Sequence, residues 1–287
     1  MTQPASIFYS SSGSRELLPG DGEFSCGLLE TMHAARGSIP LLSLHLARFT
    51  RCAGADSFLH SQVKTAAEKI ALQTKNWLYG ARIRFRYGNW RGAPCWDFSA
   101  VPLEVSSPWD LGVNLICCET RLEPEASVSL FTFSSNTETR SGCAPVAAAG
   151  CKLLQRTLYE RAAAELPRVS AAEPLPEGLL LDRHGHVIEA LRCNLLVRDG
   201  GCWLTPDLSE CGVRGVMLEW LASHAKISEH PLTCEDLLLA DELAVCNSVR
   251  GVVPVVGLQG LDGKAALRIS TGPATRALQQ LVGENLW

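Results

Sequence analysis

The sequence has no uninterrupted apolar run long enough to cross a bilayer. Its opening stretch, MTQPASIFYSSSGSRELLPG, lacks the apolar core of a secretory signal. Together these absences make the cytoplasm the default expectation and argue against a membrane partner. There is no block of like charges and no basic stripe, and the formal net charge is -4. Nothing in that balance draws the chain to the phosphates of nucleic acid. No CxxC pair and no HExxH occur among the twelve cysteines and seven histidines, which makes a structural metal site unexpected. In a chain of 287 residues, scattered cysteines of this kind read mostly as reduced, small, buried residues. Neither a P-loop nor GxGxxG is present, so nucleotide binding is not implied.

What is present suits a soluble globular protein: 46% hydrophobic and 20% charged residues, with no internal repeat and no low-complexity tract. The length allows one large domain or two modest ones. Residues 41–53 (LLSLHLARFTRCA) and 59–75 repeat apolar positions at helical spacing. The period then changes to two, predicting strands at 82–87 (RIRFRY) and 111–119 (LGVNLICCE). We expect an α+β unit over 1–124 and a connection over 125–144, whose polar part at 134–142 is a candidate lid. A second domain is expected over 145–287. Within it, GLLLDRHGHVIEA and NLLVRDGGCWLTP read as β-hairpins with turns at 183–185 and 199–201. Helices are expected at 212–226, 235–242 and 273–283, with a strand at 243–245. Pro254 inside VRGVVPVVGL argues for a sheet edge or a break.

Four local features carry chemistry. Lys152 stands at the edge of the apolar face formed by Leu154, Leu158, Ala162 and Leu166, at the start of an expected helix. A partly desolvated amine there is a better nucleophile towards a carbonyl. Glu189 lies among apolar strand residues, where a carboxylate needs a cationic partner. CGVRGVM places two glycines at a helix entry, a position that attracts phosphate. CNSVRG offers a hydroxyl and an amide at a strand end. A ligand with a carbonyl, a ring cation and a phosphate would satisfy all four, and pyridoxal 5'-phosphate has the three groups.

These stretches resemble fold-type IV pyridoxal phosphate enzymes, the class IV aminotransferases, in order and spacing along nearly the whole chain. GLLETMHAARGSIPLLSLHLARF resembles the family's opening with its HLxR helix, and AGCKLLQR resembles AGxKxLNR. VIEALRCNLL resembles the glutamate segment, TPDLSECGVRGVM the phosphate loop, and ADELAVCNSVRGVVPV the ADExxxxN stretch. The resemblance implies an α+β fold with a small N-terminal α/β two-layer domain and a larger C-terminal pseudo-barrel domain. It implies Lys152 as the Schiff-base lysine and catalytic residue, and Arg48, Glu189, Asn194, Val216, Met217 and Ser248 as further cofactor ligands. Thr31, Asn247 and Arg250 are implied at the substrate, a small-molecule amine, and a homodimer is implied as the assembly. Three reactions recur in the family: branched-chain transamination, D-amino acid transamination, and the lyase step that splits 4-amino-4-deoxychorismate into 4-aminobenzoate and pyruvate on the route to folate. PVAAAGCKLLQR and CNSVRGVVPV are most like the lyase branch, with transamination as the alternative. The chain departs from the pattern at Gln155, at Tyr87, and at Ser25 and Cys26.

Overall fold

The computed structural model describes all residues except 1–6, 12, 15–17, 105, 125–127, 131–143, 147–149, 169, 171–172 and 262–265. The candidate lid at 134–142 and most of the expected connection lie outside the described residues. The chain divides into two compact units, Met1–Val105 with Ala126–Gln155, and Ser106–Glu125 with Arg156–Trp287. The second unit therefore takes 106–124 from the stretch expected in the N-terminal domain and 125 from the expected connection. The first takes 145–155 from the stretch expected in the C-terminal one.

In the first unit, β1 (Ile7–Ser10), β2 (Gly13–Ser14), β3 (Phe24–Ala34), β4 (Ala81–Trp90) and β5 (Ala93–Pro102) form an antiparallel sheet in the order β2-β1-β5-β4-β3. Two helices, α1 (Leu42–Ala53) and α2 (Ser57–Gln73), pack on it. The burial of Leu46, Phe49, Cys52 and Ala53 on α1 realises the helical spacing of the sequence. Gly54, in the left-handed region at φ 61°, ends that helix. Asp56 then caps α2 by accepting the Leu59 N–H at 2.8 Å. On β4 the alternation of RIRFRY sends Ile83, Phe85 and Tyr87 into the core. Arg86 instead pairs with Asp97 at 2.6 Å and Asp21 at 2.7 Å. Tyr87 packs edge-on to Phe49 with ring centroids 5.3 Å apart, which explains an aromatic residue at that departure from the family pattern. A further pair, β7 (Val128–Leu130) and β8 (Ala144–Val146), belongs to this unit.

Lys152 does not open a helix. Residues 151–155 run extended beside β3, with the Leu29 N–H donating to the Lys152 carbonyl and the Leu154 N–H to the Gly27 carbonyl, both at 2.8 Å. Leu154 is buried against Phe24, Leu29 and Cys95, so its apolar spacing with Leu158 reflects β3 rather than a helix face. Gly27 permits the close approach, since a Cβ there would lie 3.2 Å from Leu154 Cδ2 and 3.3 Å from Leu154 Cβ.

The second unit holds a nine-stranded mixed sheet in the order β10-β9-β6-β15-β14-β11-β12-β13, with β16 also on β15. Its strands are β6 (Val113–Leu122), β9 (Leu175–Asp182), β10 (Val187–Ala190), β11 (Asn194–Asp199), β12 (Cys202–Pro206), β13 (Ile227–His230), β14 (Glu242–Asn247), β15 (Gly251–Gln259) and β16 (Leu267–Arg268). The helices are α3 (Thr157–Ala164), α4 (Val216–His224), α5 (Cys234–Leu239) and α6 (Pro273–Asn285). Both expected hairpins form, as β9–β10 and β11–β12. Pro254, expected at an edge or break, lies instead inside β15, between β14 and β6. It occupies the last pair of the β14 ladder, opposite Ala244, and the β6 pairing begins at Val255. A missing N–H is tolerated at that changeover.

Candidate active-site residues

In the first unit, β3 supplies Glu30 and Thr31, α1 supplies His45 and Arg48, and the extended segment supplies Lys152. Arg48 and Glu30 are 6% and 3% exposed. They form a two-pronged ion pair, Nε to Oε1 at 2.8 Å and Nη2 to Oε2 at 2.5 Å. His45 Nδ1 approaches the same Oε2 at 2.6 Å. Burial alone would raise the Glu30 carboxyl, but the Arg48 charge and the His45 hydrogen bond outweigh it and hold the pKa at about 2. Burial lowers the His45 pKa, with the Arg48 and Lys152 charges acting in the same sense against the pull of Glu30. A neutral ring beside a carboxylate carries its proton on Nδ1, which leaves Nε2 as a buried acceptor with no hydrogen-bond partner among the described residues. Lys152 is half-buried and its Nζ donates to the Thr31 hydroxyl at 3.1 Å.

The cysteine of AGCKLLQR is not a thiol. Cys151 is disulfide-bonded to Cys52 on α1, across 99 residues of sequence. Nine other described cysteines are not disulfide-bonded.

In the second unit Glu189 sits on β10 at 3% exposure. Its Oε1 accepts from the Tyr159 hydroxyl and from the Val213 N–H at 3.2 Å. Asn194, at the start of β11, donates to the Val213 carbonyl at 2.8 Å. The loop 211–215 is thus clamped by these two side chains, and glycine is required twice in it. A Cβ at Gly212, which has φ 85°, would lie 2.7 Å from Ile188 Cγ2. One at Gly215 would lie 1.9 Å from Asn194 Oδ1. The clamp delivers Val216 and Met217 as the first turn of α4, where backbone N–H groups have no acceptor within the helix.

Asn247 builds the turn after β14. Its Oδ1 accepts from the Val249 and Arg250 N–H groups at 3.0 and 2.8 Å, and its Nδ2 donates to Cys193 Sγ at 3.2 Å. Ser248 is half-buried in that turn. Arg250 lines a cavity of about 370 Å³ with Trp109, Val252, Arg276 and Gln279. Of the expected site residues, the structure thus joins Lys152 with Thr31 directly and places Arg48 beside Thr31's neighbour Glu30. It groups Glu189 and Asn194 around the loop leading to Val216 and Met217. Sequence reasoning passed over Glu30, His45, Tyr159 and the disulfide. Only the spacing of His45 and Arg48, three apart on one helix face, offered a signal for the first two.

The family model for amino-transferase class IV matches residues 27–258. The chain belongs to the class IV aminotransferase family. Among curated relatives, the aminodeoxychorismate lyase of Vibrio harveyi is 30% identical over 222 residues, covering 69% of this chain and 79% of that one. Among solved structures, the 4-amino-4-deoxychorismate lyase of Pseudomonas aeruginosa aligns with a TM-score of 0.75 at 24% identity, covering 98% and 99% of the two chains. A hypothetical aminotransferase from Mycobacterium tuberculosis in its PLP-bound form aligns with a TM-score of 0.70 at 19% identity, covering 98% of each chain. The fold is therefore that of fold-type IV enzymes, α+β with a small N-terminal sheet and a larger curled one. Among the described residues no helix is long and apolar enough to cross a membrane.

The residues fit pyridoxal phosphate by their chemistry. A half-buried amine rests on a hydroxyl, and a buried carboxylate is held by a phenol and an amide. A loop packed so closely on Asn194 that Gly215 has no room for a Cβ leads to a helix N-terminus.

Proposed function

We propose that this chain is a pyridoxal phosphate-dependent lyase that converts 4-amino-4-deoxychorismate into 4-aminobenzoate and pyruvate, acting as a homodimer. The observation that carries the reading is the Lys152 amine held at 3.1 Å on the Thr31 hydroxyl, in a stretch, AGCKLLQR, that resembles the AGxKxLNR element of the family to which the chain belongs. The 30% identity to a lyase across more than two thirds of the chain supports the lyase branch.

When bound, the cofactor supplies an electron sink for the carbon that bears the substrate's amine. Lys152 would hold the cofactor at its aldehyde carbon, and its amine would take the proton from the substrate's amine-bearing carbon and return a proton to the departing enolpyruvyl group. Thr31 orients the Lys152 amine through its hydroxyl. Glu189 keeps a proton on the ring nitrogen, and Tyr159 and the Val213 N–H fix its carboxylate for that task. Within the second unit the Val216 and Met217 N–H groups and the Ser248 hydroxyl would receive the phosphate, and Arg48 is assigned to the cofactor by the family resemblance. Glu30 fixes the plane of the Arg48 guanidinium. Asn194 holds the loop that sets the α4 N-terminus. Arg250 and the turn built by Asn247 serve the substrate.

The test is a coupled assay with enzymatically generated aminodeoxychorismate. Pyruvate released without any added 2-oxo acid supports the lyase. Conversion of branched-chain or D-amino acids only in the presence of 2-oxoglutarate, with no pyruvate from aminodeoxychorismate, replaces it with the transaminase.

A further inference from the structure

Cys52 and Cys151 are 1% and 2% exposed, and their bond ties α1 to the residue immediately before Lys152. Cys52 lies four positions beyond Arg48, about one turn along the same helix face. That face is itself bound to β3 through the Arg48–Glu30–His45 cluster. On its other side the Lys152 backbone is held to β3 by the Lys152 carbonyl and the Leu154 N–H. The lysine is therefore fixed from both directions, by a hydrogen-bonded ladder after it and a covalent bond before it. Only the covalent bond answers to redox conditions. Nine other described cysteines remain thiols. Where the described residues hold so many thiols and one bridge, a bridge beside a reactive lysine has the character of a redox-sensing bond rather than one of a disulfide framework.

We propose that the Cys52–Cys151 bridge is a redox-sensitive positioning element for Lys152. Closed, it holds the amine on Thr31. Opened, it frees the N-terminal side of the segment and lets the amine leave that contact. The opening reaction is thiol–disulfide exchange with a dithiol. The protein S–S bond breaks and two S–H bonds form, the dithiol gives up two electrons and two protons, and it closes to its own cyclic disulfide. Because both sulfurs are buried, the rate follows local opening of the unit. The proposal rests on the reading of Lys152 as the cofactor-bearing lysine, although the bridge itself does not.

Alkylation of the denatured, unreduced protein should leave two fewer reactive thiols than alkylation after reduction, with Cys52 and Cys151 in one cross-linked peptide. Equal thiol counts overturn the proposal. In the cofactor-loaded protein, a dithiol should lower kcat about tenfold or more, the scale of a misplacement near 1 Å, while KM changes by less than about twofold on the same argument. Amide exchange at Leu29 and Leu154 should rise, and reoxidation should restore both properties. Cys52→Ser should match the reduced protein whatever the redox conditions, and the reduced wild type serves if that variant does not fold. A lower Tm with kcat and amide exchange unchanged makes the bridge a staple only and overturns the proposal. If the loaded protein carries its cofactor on some other lysine, it is the reading of Lys152 that fails, and the exchange measurement still judges the bridge.

Discussion

Replacing Glu30 with glutamine removes one charge and little volume from the Arg48–Glu30–His45 cluster. In the folded chain the Glu30 carboxyl is held at about 2, against an ordinary value of 4.5. At about 1.4 kcal/mol per unit, that depression corresponds to roughly 3 kcal/mol of stability at neutral pH. Leaving the buried Arg48 without its carboxylate belongs to the same range, about 3–5 kcal/mol for a broken buried pair. The sign follows from the depressed value. The contribution is fully present above the unfolded pKa near 4.5 and is lost as the pH falls through the folded value near 2. Denaturant titrations of wild type and Glu30→Gln should therefore differ by about 3 kcal/mol at pH 7, shrinking to less than half of that by about pH 3. A variant within about 0.5 kcal/mol of wild type at pH 7, the range of an ordinary surface change, would refute the reasoning. So would a gap that stays constant down to about pH 3, since the linkage relation requires it to close.

Further outcomes follow from single contacts. Gly215→Ala places a methyl 1.9 Å from Asn194 Oδ1. The loop or Asn194 must move, so cofactor affinity measured by absorbance titration should fall, with about 1–3 kcal/mol lost from stability. Thr31→Val removes the acceptor of the Lys152 amine and should lower turnover by about tenfold or more, the lower end of general acid–base effects. Thr31→Ser should keep most of the rate; equal rates for the two variants would count against the contact. Asp56→Ala deletes the α2 cap and should cost about 1 kcal/mol in thermal unfolding, with no effect on turnover.

Legibility in the sequence followed the physics of each segment. The helices α1 and α2 and the two hairpins were readable because one face of each element is buried and their turns carry their own chemistry. Gly200 and Gly201 both have positive φ, as a tight hairpin turn requires. By contrast β3 was not readable. Most of its residues with described side chains are buried, so FSCGLLETMHA shows no alternation. The motif singles out Lys152 in the sequence, yet the helix expected to begin there does not form. The apolar spacing after it is shared between the β3 contact of Leu154 and the helix that begins only at Thr157. Pro254 misled because a local rule cannot see a strand that changes partners at that residue. The Cys52–Cys151 bond spans 99 residues, and nothing local marks it. The cluster around Glu30 draws on two elements, and its charges look like surface residues until burial is known.

The central claim is that the Lys152 amine forms the bond to the cofactor. Protein loaded with pyridoxal 5'-phosphate, reduced with borohydride and digested, is to be sequenced by mass spectrometry. The account predicts the pyridoxyl mass on Lys152 alone, with loss of the visible band in Lys152→Ala. Modification of another lysine in its place, or none at any lysine, would contradict it.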